Sequence, residues 1–294
     1  MIEIQNYING KTTPPIGGVY LDDFEPATGQ VYAQCPDSGV EDLNMAVDAA
    51  ERAKDGWATT PAEQRSAILS RLANLIDAHA DDLAKAEATD NGKPITFTKN
   101  VDIYRAAANI RFFAQAITQF SSESHGMENT AINYTLRDPI GIVACISPWN
   151  FPLYLFTWKI APALATGNCV IAKPSEVTPM TAFLFSKLCI EAGLPAGVLN
   201  VLHGSGAQIG AAITEHPAIK AISFFPGPRV AFVEDATELT GDIVAKALED
   251  WQEGDAVIIS SYASEQEIFD SLQWLRDKGV KTLRLHNIVD SKAH

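Results

Sequence analysis

Gly141-Ile-Val-Ala-Cys-Ile-Ser-Pro-Trp-Asn-Phe-Pro152 is an apolar run of strand length that ends on a polar, proline-flanked block and opens a helix. About one strand-helix-strand unit later, Cys169-Val-Ile-Ala-Lys-Pro-Ser-Glu176 repeats the arrangement. Ligands of open α/β sheets collect beyond the carboxyl ends of the strands. The blocks Ile146 to Pro152 and Ala172 to Glu176 therefore read together as a site.

The same alternation continues outward. A helix is predicted over 153–165, a strand over 169–172, a helix over 179–192, a strand over 199–202, a helix over 207–215 and a strand over 219–224. This is the pattern of an α/β protein with an open, parallel, Rossmann-like sheet and helices on both faces. Upstream, Ile4 to Cys35 reads as short strands and turns. From Val40 the period becomes helical, through Ala46, Ala49, Ala50 and Ala53, then Ile68, Leu69, Leu72, Leu75, Ile76 and Leu83. A third helix is expected from about Lys99 to Phe120 with Tyr104, Ala108, Phe112 and Ile117 on its buried side. These make an N-terminal helical layer. Asn133 to Leu136 suggests a strand, and Asp138-Pro-Ile-Gly141 a turn into the first sheet strand.

Downstream of Phe224 a C-terminal βαβαβ extension is expected: strands 229–234, 256–260 and 281–288 with helices 237–251 and 264–278. The organisation predicted is thus 1–130 for strands and the helical layer, 131–224 for an α/β part, and 225–294 for a divergent segment.

The chain has 294 residues, enough to bury a full core. It is 47% hydrophobic and 20% charged, with no apolar run near the roughly 18 residues of a membrane span, so no membrane partner is expected. Met1-Ile-Glu-Ile-Gln lacks the basic start of a secretory signal, and a cytoplasmic location is expected. A formal charge of −14 argues against binding to nucleic acid, which depends on Lys and Arg. Cys35, Cys145, Cys169 and Cys189 have neither zinc-site spacing nor disulfide density and read as reduced thiols.

Asn150 has two readings: a side-chain amide donating to a developing oxyanion, or an N-cap of the helix that follows. Lys173 and Glu176 also have two: a grip on the hydroxyls of an adenosine ribose, with the carboxylate repelling a 2′-phosphate, or a surface ion pair. Gly204-Ser-Gly-Ala-Gln-Ile-Gly210 lets bare backbone approach a pyrophosphate, although its last gap is one residue too long for the common dinucleotide fingerprint.

Seven blocks in order carry a resemblance: Tyr7-Ile-Asn-Gly10, Pro26-Ala-Thr-Gly29, Asn91-Gly-Lys-Pro94, Ser147-Pro-Trp-Asn-Phe-Pro152, Lys173-Pro-Ser-Glu176, Ala192-Gly-Leu-Pro195 and Gly197-Val-Leu-Asn-Val201. From about Asn6 to Phe224 the chain resembles the NAD(P)-dependent aldehyde dehydrogenase superfamily, in the flavour of members that oxidise small semialdehydes. The resemblance implies oxidation of an aldehyde or semialdehyde to a carboxylic acid with NAD. It makes Asn150 the oxyanion donor and places Ile146, Ser147, Pro148, Trp149, Lys173, Ser175, Glu176, Gly206 and Gly210 around the cofactor. Lys159 corresponds to a lysine linked to proton relay in the family, beside the alternative of a solvated helix lysine. The strand near Ala131 contributes to the subunit contact in the family, so a homo-oligomer is the partner expectation.

The resemblance stops after Ile222-Ser-Phe224. The family has a Thr-Gly-Ser turn there, and this chain has Phe225-Pro-Gly-Pro228, whose prolines remove backbone donors. Neither the Glu-Leu-Gly-Gly block that supplies the general base nor the block with the nucleophilic cysteine follows. The four cysteines read as buried and inert. The expectation is an aldehyde dehydrogenase-like oxidoreductase, impaired or inactive, in which 225–294 replaces the catalytic domain. The alternative is a non-catalytic nucleotide-binding or interaction protein, or a truncated, rearranged product. Glu234, Asp235, His286 and Asn287 have no assigned role.

Overall fold

The apolar runs between Gly141 and Phe224 form strands, and they pair in parallel. The computed structural model describes residues 1–128 and 130–224; the elements expected over 225–294, with Glu234, Asp235, His286 and Asn287, lie outside the described residues. Five short strands open the chain: β1 (Ile2–Glu3), β2 (Asn6–Ile8), β3 (Lys11–Thr13), β4 (Tyr20–Glu25) and β5 (Gln30–Pro36). Helices α1 (Val40–Thr59), α2 (Ala62–Ala78), α3 (Ala80–Asn91), a single turn α4 (Ile95–Phe97), a π-helical stretch (Thr98–Ile103) and α5 (Tyr104–Ala116) follow. A hairpin of β6 (Ser124–Met127) and β7 (Ala131–Tyr134) precedes β8 (Ile142–Ile146), α6 (Pro152–Ala165), β9 (Cys169–Lys173), α7 (Met180–Glu191) and β10 (Leu199–Val201). A π-helical turn (Gly206–Gly210), α8 (Ala211–Glu215) and β11 (Ile219–Phe224) end the described part.

The main sheet has the order β11-β8-β9-β10-β2-β3. β11, β8, β9 and β10 are parallel neighbours, and β2 joins β10 antiparallel. The N-terminal strands thus complete the sheet. β8 and β9 are buried at every position, which requires cover on both faces. α1 and α8 pack on one face and α6 and α7 on the other, with α2 and α5 packed beyond α6. The carbonyls left open at the end of α6 are met by distant side chains: Trp57 Nε1 donates to Leu164 O at 3.1 Å and Arg65 Nε to Ala165 O at 2.9 Å. No helix among the described residues is long and apolar enough to cross a membrane.

One expectation is corrected. Tyr104 and Phe112, expected on the buried side of the third helix, are 63% and 59% exposed. The inward face is Ala106, Ala107, Asn109, Ile110 and Ala114. The π-helical stretch before α5 shifts the phase of the helix, and small side chains let it approach α2 and α6 closely. The strand β6 has no counterpart in the sequence pattern; it pairs antiparallel with β7, and every residue of the hairpin strands is exposed.

Gly197 opens the approach to β10 at φ +84, and a Cβ there would stand 2.4 Å from Ala49 O and 3.0 Å from Ala53 Cβ. The backbone of α1 leaves no room for a methyl. Gly197→Ala is expected to destabilise the protein by about 2–4 kcal/mol, from steric overlap and left-handed strain together, measured as a lowered urea midpoint.

Candidate functional site

The sheet brings the two sequence blocks to one edge. In the parallel register Ile146 pairs with Lys173, and one residue later Ser147 N–H donates to Lys173 O at 3.0 Å. The exits of β8 and β9 are therefore immediate neighbours. From β8 the chain moves to β9 and β10 on one side, whereas β11 pairs on the other flank. That reversal is the crevice-forming position of a doubly wound sheet, and it lies at the exit of β8.

In the exit loop Ile146, Ser147 and Pro148 are buried, and Trp149 is 45% exposed. Ser147 Oγ is buried with no partner. Asn150 does not cap α6. The N-cap is Phe151, it makes no side-chain capping bond, and Asn150 Oδ1 is buried without a partner. The capping reading of Asn150 is thereby removed. Unengaged polar groups at this depth are costly in an ordinary loop and ordinary at a site that binds something.

At the neighbouring exit Lys173 Nζ donates to Glu176 Oε2 at 2.8 Å and to Pro174 O at 3.0 Å. The Lys173 side chain is 3% exposed, so the surface ion-pair reading does not hold. Glu176 Oε1 accepts Gly206 N–H at 3.1 Å. Burial is the largest single effect on Glu176 and raises its pKa, but the Lys173 charge and hydrogen bond, with the amides of Glu176 and Gly206, outweigh it and hold the carboxyl below its ordinary range. A carboxylate has about four lone-pair sites, so both oxygens keep acceptor capacity. Ser175 Oγ accepts Val177 N–H at 3.4 Å and shapes the turn.

Gly206 and Gly210 lie against this pair. A Cβ at Gly206 would be 3.9 Å from Glu176 Oε1, and one at Gly210 would be 3.8 Å from Lys173 Cδ. Neither contact forbids a side chain, so glycine here keeps space open beside the carboxylate. The Gly206 amide is engaged by Glu176 rather than left as a free donor.

Two residues gain weight from the structure. Lys159 is 7% exposed, not solvated; its Nζ donates to Ser223 Oγ of β11 at 3.3 Å, and burial lowers its pKa. His203 follows β10, is 1% exposed, and has both ring nitrogens buried without partners. Burial, then the Lys173 charge, pushes it down to about 3, so it stays neutral. Its position directly after a strand was the signal available in the sequence. All four cysteines are buried. Burial drives the Cys145 and Cys169 thiols up to about 12, and those of Cys35 and Cys189 higher.

The aldehyde dehydrogenase family model matches residues 17–232. The 2-aminomuconic semialdehyde dehydrogenase of Danio rerio is 47% identical over 222 residues, 75% of this chain and 45% of that protein. The 5-carboxymethyl-2-hydroxymuconate semialdehyde dehydrogenase of Escherichia coli is 41% identical over 227 residues, 77% of this chain and 48% of that protein. Among solved structures, an indole-3-acetaldehyde dehydrogenase mutant of P. syringae in complex with NAD+ superposes with a TM-score of 0.74 at 38% identity, covering 76% of this chain and 45% of that one. The chain spans just under half the length of the curated relatives it matches. With the family match extending over most of its residues and the solved relatives sharing its fold, the chain belongs to the aldehyde dehydrogenase family.

Proposed function

We propose that residues 1–224 form the NAD-binding half of a cytoplasmic aldehyde dehydrogenase and carry the oxyanion donor for oxidation of an aldehyde or semialdehyde to a carboxylic acid. The observation that carries this reading is the pairing of Ile146 with Lys173, which puts the Asn150 carboxamide and the Lys173–Glu176 pair at neighbouring strand exits. The residues present fit a dinucleotide. Glu176 retains acceptor sites for the ribose hydroxyls, and Gly206 and Gly210 leave space beside it. Ile146, Ser147, Pro148, Trp149 and Ser175 line the same edge. The carboxylate also disfavours a 2′-phosphate, hence NAD over NADP. NAD, when bound, would supply the hydride acceptor.

Asn150 donates from its amide to the carbonyl oxygen as negative charge develops, an interaction stronger in the transition state than in the ground state. Lys173 fixes the orientation of Glu176 and keeps it ionised. The semialdehyde dehydrogenases among the relatives support a small oxidised substrate with a second polar group. The reaction also needs a thiolate, and all four cysteines are buried with thiols well above neutral pH. We therefore read the chain as binding NAD while aldehyde turnover is impaired or absent, with 225–294 standing in place of the catalytic domain. The acidic chain has no nucleic-acid partner in this reading.

Three outcomes are expected. Glu176→Ala should weaken NAD binding by roughly tenfold or more in calorimetric titration and narrow the preference over NADP, since it removes charge-assisted hydrogen bonds; unchanged affinity for both cofactors would remove Glu176 from the site. Incubation with NAD and short aldehydes or semialdehydes should yield no NADH by absorbance. The native protein should also resist iodoacetamide at every thiol, and steady turnover together with rapid labelling of one cysteine would refute the impaired reading. Light scattering should show association of copies, with β6 and β7 exposed for contact; a strictly monomeric protein counts against that part.

A further inference from the structure

The block Asn91-Gly-Lys-Pro94 and the buried carboxyl of Glu87 have no part in the site described above. Each nevertheless ends on the turn that follows Asn150. α3 stops at Gly92, whose φ is +76, and Gly92 N–H donates to Ala88 O at 3.0 Å. Asn91 Oδ1 then accepts Lys93 N–H at 2.9 Å, and Pro94 O accepts the amides of Phe97 and Thr98. This tight turn directs the Lys93 side chain inward. Its Nζ lies 2.7 Å from Asp102 Oδ2, a carboxylate with no exposed side-chain surface, and 3.9 Å from the centroid of the Phe151 ring. A cation at that distance on a ring face, partly desolvated, is held firmly. The same ring meets Tyr154 edge-on at 5.6 Å.

The second contact comes from one turn earlier on α3. Glu87 is fully buried, and its Oε1 accepts Leu153 N–H at 3.4 Å. Leu153 is the second residue of α6, so this is one of the amides a helix leaves open at its start. The N-cap residue, Phe151, makes no side-chain capping bond. A carboxyl 66 positions away does so instead. Burial pushes the Glu87 carboxyl up to about 8, with the Thr181 hydroxyl pulling the other way. Two groups from one helix and its terminal turn thus grip residues 151 and 153, immediately after the carboxamide.

We propose that Glu87 and Lys93 are positioning residues that hold the turn 151–153 and so aim the Asn150 side chain at the reacting carbonyl. The proposal rests on the oxyanion-donor reading of Asn150. Without the two grips, the Asn150 carboxamide, which has no bond of its own through Oδ1, loses the backbone that orients it.

The test is amide hydrogen exchange of the full chain, comparing peptides over 147–156 with peptides over β9. Glu87→Leu removes the acceptor, and Glu87→Gln restores it at the same volume. Lys93→Met is made together with Asp102→Asn, so that no buried carboxylate is left unpaired, and Lys93→Arg restores the cation. Glu87→Leu and the Lys93→Met/Asp102→Asn pair should each speed exchange over 147–156 about tenfold, as expected when local opening loses one such interaction, with β9 unchanged. Glu87→Gln and Lys93→Arg should stay close to the parent. Unchanged exchange over 147–156 overturns the proposal, as does acceleration shared equally by β9, which would mark a general loss of stability. The Asn150 reading is checked separately by Asn150→Ala, scored by calorimetric binding of a small carboxylate, the product class, to the NAD-loaded protein. Weaker binding supports the donor role. Unchanged binding with accelerated exchange in the Glu87 and Lys93 variants would leave the grip in place while retiring the donor it was proposed to aim.

Discussion

The parallel pairing of β8 with β9 is the constraint on which the site depends. Side chains alternate across a strand, so a slip of one residue would move every side chain to the opposite face of the sheet and separate Ser147 from Lys173. Both strands are buried on both faces, and such a slip would carry the whole apolar run with it. The bond from Ser147 N–H to Lys173 O continues the ladder one step beyond the strands. It ties the start of one loop to the end of the next strand, just where the polar residues begin.

Carboxyl groups of α3 extend that control to the helices behind the sheet. Glu87 accepts Leu153 N–H at the start of α6, and Asp90, one turn later, accepts Met180 N–H at the start of α7 at 2.9 Å. Neither helix has a side-chain cap from its own N-cap residue. A single helix of the outer layer thus meets open amides of both sheet helices, and it does so from positions three apart on one face. Asp90 also accepts the Tyr32 hydroxyl, and burial with the neighbouring Asp90 charge raises the Asp23 carboxyl well above the ordinary carboxylate range. The helical layer is therefore part of the site's support and not only its cover.

The chemistry of the described residues is divided unevenly. The Lys173–Glu176 pair and the Asn150 carboxamide, with its unpartnered Oδ1, stand at the sheet edge. The thiols are elsewhere, with Cys145 and Cys169 inside β8 and β9 and Cys189 within α7. A thiol in an apolar interior lacks the solvent that stabilises a thiolate, and desolvation is the leading cause of every upward shift among them, outweighing the Lys159 charge at Cys145, Lys54 at Cys169 and Lys173 at Cys35.

Much of this was legible in the amino-acid order because it is local. Apolar runs bounded by Pro and Gly marked β8, β9, β10 and β11 to within a residue or two, and the Ser-Pro-Trp-Asn-Phe-Pro and Lys-Pro-Ser-Glu blocks named the two exits. Turn chemistry and strand period need no knowledge of distant residues. The face of α5 is not legible from the helical spacing of Tyr104, Ala108, Phe112 and Ile117, because the π-helical stretch ahead of it shifts the phase and alanines make the close packing against α2 and α6. That Asn150 caps nothing, that Lys173 is buried, and that Glu87 reaches Leu153 could not be read from the order at all. Each depends on which segments the sheet and helices bring together across tens of residues, and only the folded packing fixes those distances, burials and partners.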